Sequence, residues 1–335
     1  MGHNVPDIAK DSDSRCFCNC GQAILYFLSC AVTCEKTMLR KSRLVLVSAL
    51  LVTAISASSV TSVRADGNLL RGFDVPATTP FGHNVAPSLY WPIGVAFDGK
   101  NLWYSQPCDC TADIFRASST GVLLNTLHEL KQAGALAWDG SHLWVGIFAN
   151  NAPTCTVGVS GCAVLYEVDV STGFVVKTVD ISGVFAADQE CGLIDGLDFD
   201  SSTGTLWVSP DIGCASAFTT NPCSIGFVYN VDLSGNLIQR LKLPFGVAGV
   251  NKVGNSLYMV SCQPTGSTHR PIIKTSLDGT VISTFFTVSV SGQRESAEDL
   301  AFDPVTFAPA CALWAVQDYG FPFDASLAAY QIACP

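Results

Sequence analysis

The chain has 335 residues, a formal net charge of −10 and 48% hydrophobic residues, which allows one or two domains with an ample core. From Asp66 onward 11 basic residues stand against 24 acidic ones. Such a balance lacks the clustered Lys and Arg that nucleic acid or an anionic lipid surface requires, so nucleic acid is not an expected partner.

The N-terminal residues read as a targeting segment. Met38-Leu-Arg-Lys-Ser-Arg43 is basic, Leu44 to Ile55 is apolar, and Val63-Arg-Ala65 ends in a small-x-small pattern. Together they have the form of a secretory signal peptide over residues 38–65. It begins at an internal methionine, so residues 1–37 read as an upstream extension or a disordered segment. The competing reading of 38–65 is an uncleaved membrane anchor, since Leu44 to Val63 approaches the ~20 apolar residues of a span, although rich in Ser and Thr. Membrane association is expected only in that case. Either way, residues 66–335 are expected outside the cytoplasm, secreted, periplasmic or at the cell surface. The cysteines agree: of 15, five precede Ala65 and ten follow it, an even number in a chain addressed to an oxidising compartment.

Beyond Asp66 one unit recurs. Ile93-Gly-Val-Ala-Phe-Asp-Gly-Lys-Asn-Leu-Trp-Tyr104 is followed by Gly134-Ala-Leu-Ala-Trp-Asp…Leu143-Trp-Val145, Asp195-Gly-Leu-Asp-Phe-Asp…Leu206-Trp-Val208, Ala248-Gly-Val-Asn-Lys-Val…Leu257-Tyr-Met259 and Glu298-Asp-Leu-Ala-Phe-Asp…Leu313-Trp-Ala315. A strand-rich period of roughly 40 to 60 residues is the signature of a β-propeller. After each aromatic pair come a variable loop, a strand, a tight turn such as Asp278-Gly279, and another strand, giving four strands per blade. The expected fold is therefore an all-β, five-bladed β-propeller of four-stranded blades over residues 66–335. The fifth copy ends one strand short. Asp66-Gly-Asn-Leu-Leu-Arg-Gly-Phe-Asp-Val-Pro76 matches Ser234-Gly-Asn-Leu-Ile-Gln-Arg-Leu-Lys-Leu-Pro244, so the mature N-terminal strand is expected to close the ring and remove its open edge. A closed ring of this size is expected to be a monomer.

On this scheme Cys108, Cys110, Cys155, Cys162, Cys191, Cys214, Cys223 and Cys262 fall in loops at the upper face, where the innermost strands begin. Cys155 with Cys162, and Cys214 with Cys223, each share one loop and are the natural local pairs. Cys311 and Cys334 lie at opposite ends of a hairpin and are expected to tether the C-terminus at the lower face. Pairing of the rest stays open.

Aligning the five innermost strands gives Ile93-Gly94, Gly134-Ala135, Asp195-Gly196, Ala248-Gly249 and Glu298-Asp299 at their starts. Asp195, Glu298 and Asp299 are carboxylates in columns otherwise small or apolar. Strand starts converge on the central channel, and carboxylates forced together share a proton or collect a hard cation, with Ca2+ favoured by the absence of a His or Cys set. The bland reading is that they are solvated or accept hydrogen bonds from amides. Asp198 and Asn251 share a second column, where the other blades carry Ala96, Ala137 and Ala301. His83, in the loop before the first blade, is a further candidate base or ligand, although a lone loop His is more often neither. Trp103, Trp144, Trp207, Tyr258 and Trp314 read as packing between blades, whereas Tyr90, Trp91, Tyr319, Phe321 and Phe323 in upper loops suit a ligand wall or a protein contact.

The Gly-Val-Ala-Phe-Asp-Gly…Leu-Trp units resemble the NHL and streptogramin-lyase-like group of secreted bacterial propellers across nearly all of the chain after Asp66. The resemblance implies the fold; the group itself includes binding and interaction modules. Related propellers of the gluconolactonase family hold a divalent metal with a Glu, an Asn and an Asp at the channel. Glu298, Asn251 and Asp195 supply those residue types here, in five blades rather than that family's six. Papaya-type glutaminyl cyclases share the five blades, but their characteristic motifs are not found in this chain. Two function classes follow: a ligand- or protein-binding module working through the cysteine-rich upper face, and a metal-dependent, lactonase-like hydrolase or lyase using Asp195, Glu298 or His83.

Overall fold

The structure is a computed structural model that describes residues 66–75, 92–106, 114–127, 130, 132–148, 155, 157–212, 223–261, 270–288, 290, 295–319 and 325–335. The signal-peptide, anchor and upstream-extension readings of residues 1–65 lie outside the described residues. Among those described, no helix is long and apolar enough to cross a membrane.

After β1 (Leu69–Val75), the first blade is β2 (Val95–Phe97), β3 (Asn101–Ser105), β4 (Ile114–Ser118) and β5 (Leu123–Leu127). The second is β6 (Ala133–Trp138), β7 (Leu143–Ile147), β8 (Val164–Val168) and β9 (Val175–Asp180). A short helix, α1 (Ser182–Ala186), leads to the third: β10 (Ile194–Asp200), β11 (Thr205–Pro210), β12 (Gly226–Asp232) and β13 (Leu237–Leu243). The fourth is β14 (Val247–Val253), β15 (Ser256–Ser261), β16 (Pro271–Ser276) and β17 (Val281–Phe286). The fifth comprises β18 (Glu295–Asp303), β19 (Cys311–Tyr319) and β20 (Ala325–Ile332), with β1 as its outer strand. Five antiparallel four-stranded blades closed by the N-terminal strand make this a five-bladed β-propeller. In the closure Leu69 faces Tyr330 and Val75 faces Ala325.

Strand position in the blade decides the burial pattern. The second strands β3 and β7 are buried at every residue, because both their faces lie against neighbouring blades. The outer strands β9 and β17 expose all but one residue each, so Val175, Val176, Val281 and Ile282 meet solvent despite being apolar. Turns between outer strands use the predicted glycines: Gly279 follows Asp278 at φ +87°, a conformation other residues adopt only with strain. At the channel a different constraint operates on Gly249, where a Cβ would come within 2.5 Å of the Glu298 carbonyl oxygen, so a side chain there would hold adjacent innermost strands apart.

The recurring Asp-Gly…Leu-Trp motif has a specific physical cause. Asp98, which ends the first innermost strand, accepts from the turn amides of Lys100 and Asn101 and, at 3.1 Å, from the Trp103 indole. Asp139 does the same with His142 N and Trp144 Nε1, and Asp303 with Thr306 N and Trp314 Nε1 at 2.9 Å. The carboxylate thus closes the hairpin and gives the buried indole its acceptor. In the fourth blade Val253 replaces the Asp and Tyr258 replaces the Trp, so donor and acceptor are lost together. The third blade breaks the rule: Asp200 receives Lys252 Nζ at 2.9 Å, and the buried Trp207 Nε1 has no partner. Substituting Trp by Phe removes similar volume at either site. We therefore expect Trp314→Phe, which orphans a fully buried carboxylate oxygen, to cost about 1–3 kcal/mol more than Trp207→Phe. Denaturant midpoints of the two variants measure this, and equal losses would refute the account.

Candidate functional site

The carboxylate columns sit where the innermost strands are irregular. Pairing of β10 with β11 shifts between Ile194 and Gly196, and pairing of β18 with β19 shifts between Ala297 and Leu300, so Asp195, Glu298 and Asp299 all lie at bulges. β6 and β14 shift at the same position. A bulge re-aims side chains that regular pleating would leave between sheets.

The three carboxylates have different surroundings. Glu298 receives Arg270 Nη1 at 2.9 Å, and the same nitrogen donates to the Ala297 carbonyl at 3.0 Å. Asp299 reaches across the channel, its Oδ2 accepting from the amides of Val95 and Leu136, each at 3.3 Å, while Oδ1 is buried without a partner. This blade thereby ties the first two together through the axis. Asp195 is 1% exposed and neither of its carboxyl oxygens has a hydrogen-bond partner. Burial pushes Asp195 well above the usual carboxylate range, with Glu298, Asp211 and Asp299 adding to the rise and Arg270 opposing it. Burial does the same to Asp299, against the lowering effect of the amides of Leu300, Val95 and Leu136. Asp195 is consequently a buried carboxyl that holds its proton more tightly than an ordinary carboxylate, beside an ion-paired Glu298.

Asn251 belongs elsewhere. Its Nδ2 donates to Asp198 Oδ1 at 2.8 Å, so it stands with its column partner lower in the channel and away from the Glu298–Arg270 pair. Among the described residues one trio of metal-ligand type, Asp139, His142 and Glu167, has donor atoms all within 4.8 Å of one another; Asp195, Glu298 and Asp299 do not meet as closely. That trio already has internal partners: Asp139 holds its turn and Trp144, and His142 Nδ1 lies 3.0 Å from Glu167 Oε1.

Two predicted disulfides are present, Cys155–Cys162 and Cys311–Cys334, with Cα separations of 5.8 and 5.2 Å. Cys191 and Cys223 are also disulfide-bonded. Cys214, Cys108, Cys110 and Cys262 lie outside the described residues, as do His83, Tyr90, Trp91, Phe321 and Phe323, and of Tyr319 the backbone alone is described. The Trp column is core, with Trp103, Trp144, Trp207, Tyr258 and Trp314 each at most 3% exposed. Sequence reading missed Arg270. A basic residue directly before a strand, in a domain with 11 basic residues, was the available signal.

No protein-family model matches the chain, and no curated protein matches it. Among solved structures it is similar to the glutaminyl cyclase of Myxococcus xanthus at 12% identity, covering 80% of this chain and 97% of that one with a TM-score of 0.50. It is also similar to the PQQ-bound aldose sugar dehydrogenase of Streptomyces coelicolor at 10% identity, covering 79% and 98% with a TM-score of 0.45. At such identities the likeness is one of fold. The chain is a five-bladed β-propeller. Its disulfides mark it as an extracytoplasmic one, since such bonds persist in oxidising compartments.

Proposed function

We propose that this protein is a secreted ligand-binding propeller that receives its ligand at the upper end of the channel, on Asp195. One observation carries the reading: both oxygens of a fully buried carboxyl lack partners, in a fold that supplies partners to Glu298 and to one oxygen of Asp299. An unsatisfied buried polar group costs about 1–3 kcal/mol, which a ligand donor or a cation returns on binding. Ca2+ fits the chemistry of the free oxygens, namely Asp195 Oδ1 and Oδ2 and Asp299 Oδ1, all hard donors; Glu298 is committed to Arg270. A second reading, a hydrolase or lyase, is favoured by the contrast between Asp195, whose carboxyl burial pushes well above the usual range, and ion-paired Glu298, the kind of divergence that separates an acid from a base in one site.

Thermal unfolding of the purified protein with Ca2+ and with chelator tests the cation. A hundredfold excess over Kd adds about 2.7 kcal/mol to the parent, and Asp195→Asn is expected to abolish the shift. The pH dependence has a defined sign. The native state holds the Asp195 proton more tightly than the unfolded chain, so the parent loses stability as pH rises above the ordinary carboxylate range, and Asp195→Asn flattens that loss. A parent indifferent to Ca2+ removes the cation. A ligand bound as tightly by Asp195→Asn as by the parent overturns the site.

A further inference from the structure

The lower end of the channel opens into a cavity of about 400 Å³ to which all five blades contribute. Two columns build it. The residue before the hairpin-closing Asp is Phe97, Trp138, Phe199 or Phe302 in four blades, and Lys252 takes that place in the fourth blade. One residue earlier, three blades carry alanine, while Asp198 and Asn251 form a single polar side. The lining therefore mixes aromatic residues with a polar side, and a cavity of about 300–1,000 Å³ with convergent polar groups is of a size to take a small molecule.

The polar side offers an acceptor and negative charge. Asn251 is 3% exposed; its Nδ2 is spent on Asp198 Oδ1 at 2.8 Å and the Leu300 carbonyl at 3.4 Å, and its Oδ1 is buried without a partner. Reversing the amide would set its oxygen against a carboxylate and a carbonyl, so those partners fix the orientation. Asp198 Oδ2 accepts from Lys252 N at 2.8 Å. The Lys252 ammonium is occupied, by Asp200 Oδ1 at 2.9 Å and Ser202 Oγ at 3.1 Å, so an anion entering here finds no unpaired positive charge among the described lining residues.

We propose that the lower channel is a second binding site, for a small organic cation: an amine with an apolar body whose N–H donates to Asn251 Oδ1 beside Asp198, with the aromatic residues enclosing its carbon frame. Asp198 makes the site pH-sensitive. Burial pushes it up to about 7, with Asp200 adding to the rise and Lys252, through its amide and its charge, opposing it. Asp299 is a further carboxyl in electrostatic contact with Asp198. A cation favours the ionised carboxylate, so binding below that pH expels a proton. Affinity is expected to fall by up to about 30-fold between pH 8 and pH 5.5 and to level off on the alkaline side.

Calorimetric titration of the purified protein with benzylamine, against benzyl alcohol and benzoate, tests this. Benzylamine is expected to bind at least about tenfold more tightly than either at pH 8. Asn251→Leu should remove that binding. Because Asn251 also holds Asp198, Ser201→Lys provides a variant safe for the fold: Ser201 is an exposed turn residue at the cavity mouth, and a new cation there should weaken benzylamine severalfold without moving the unfolding midpoint. Asp195→Asn, at the other end, should leave benzylamine affinity unchanged. No benzylamine binding at millimolar concentration, equal binding of the alcohol, insensitivity to Ser201→Lys, or loss in Asp195→Asn would each overturn the proposal.

Discussion

Deleting residues 66–76 is expected to destroy cooperative unfolding of the propeller. Strand β1 pairs with β20 along its whole length, flanked by Gly67 N to Gln331 O and Gln331 N to Asn68 O, both at 2.8 Å. It also closes the seam between the fifth and first blades. Phe73 lies against Trp314 with ring centroids 5.9 Å apart, Arg71 sits 5.0 Å over the Phe307 ring, and Arg71 Nη1 reaches the Ser119 carbonyl in the first blade at 3.2 Å. Without β1, Leu327, Ala328, Ala329 and Tyr330, all now fully buried, become the open edge of a sheet. Uncovering Leu327 and Tyr330 costs up to about 1.5–3 kcal/mol each and the two alanines less, so the sum takes a large share of the stability of an ordinary domain. The exposed edge is also a template for pairing with other chains. Size-exclusion profiles and denaturant unfolding read the effect, and a synthetic 66–76 peptide should restore both. A truncated protein with the parent's midpoint and slope would show that the seam contributes nothing.

The fold was legible because its period is written in side chains with separate jobs. The Asp that ends an innermost strand and the Trp that follows appear together in four blades and are replaced together, by Val253 and Tyr258, in the fourth. The closing strand was legible for the same reason, as a copy of 234–244. The site was only partly legible. An alignment of strand starts put Asp195, Glu298 and Asp299 in adjacent columns, but column position does not reveal the bulges that re-aim them. It also does not reveal which carboxylate meets amides, which meets Arg270 and which meets nothing. Asn251 shows the limit from the other side. Its residue type matched a channel metal set, whereas its geometry pairs it with Asp198, two residues along the strand from Gly196. Spacing along one strand identifies the column; the partners come from other blades, and sequence separation carries no information about them.

Arg270→Met is expected to destabilise the protein by about 3–5 kcal/mol at pH 7, the range for removing one member of a buried ion pair. Methionine keeps most of the aliphatic stem, so the loss reports charge and hydrogen bonding rather than a cavity. The Glu298 side chain is 4% exposed and its Arg270 partner 24%, so the carboxylate left behind has little access to water. Its neighbour Asp195 is another carboxyl and supplies no compensating positive charge. Two further measurements separate this cause from general damage. In the variant, the buried Glu298 carboxylate loses the ion pair with Arg270, which disfavours its charged form relative to the parent. The penalty should therefore be small near pH 4 and grow as pH rises to 7. Adding Glu298→Gln to Arg270→Met removes the stranded charge and should recover most of the loss, a coupling that a double-mutant cycle isolates. An Arg270→Met protein within about 1 kcal/mol of the parent at pH 7 would mean that Glu298 is solvated after all. A double variant no more stable than the single one would mean that Arg270 acts through packing, and the acid–base contrast at Asp195 would lose its electrostatic basis.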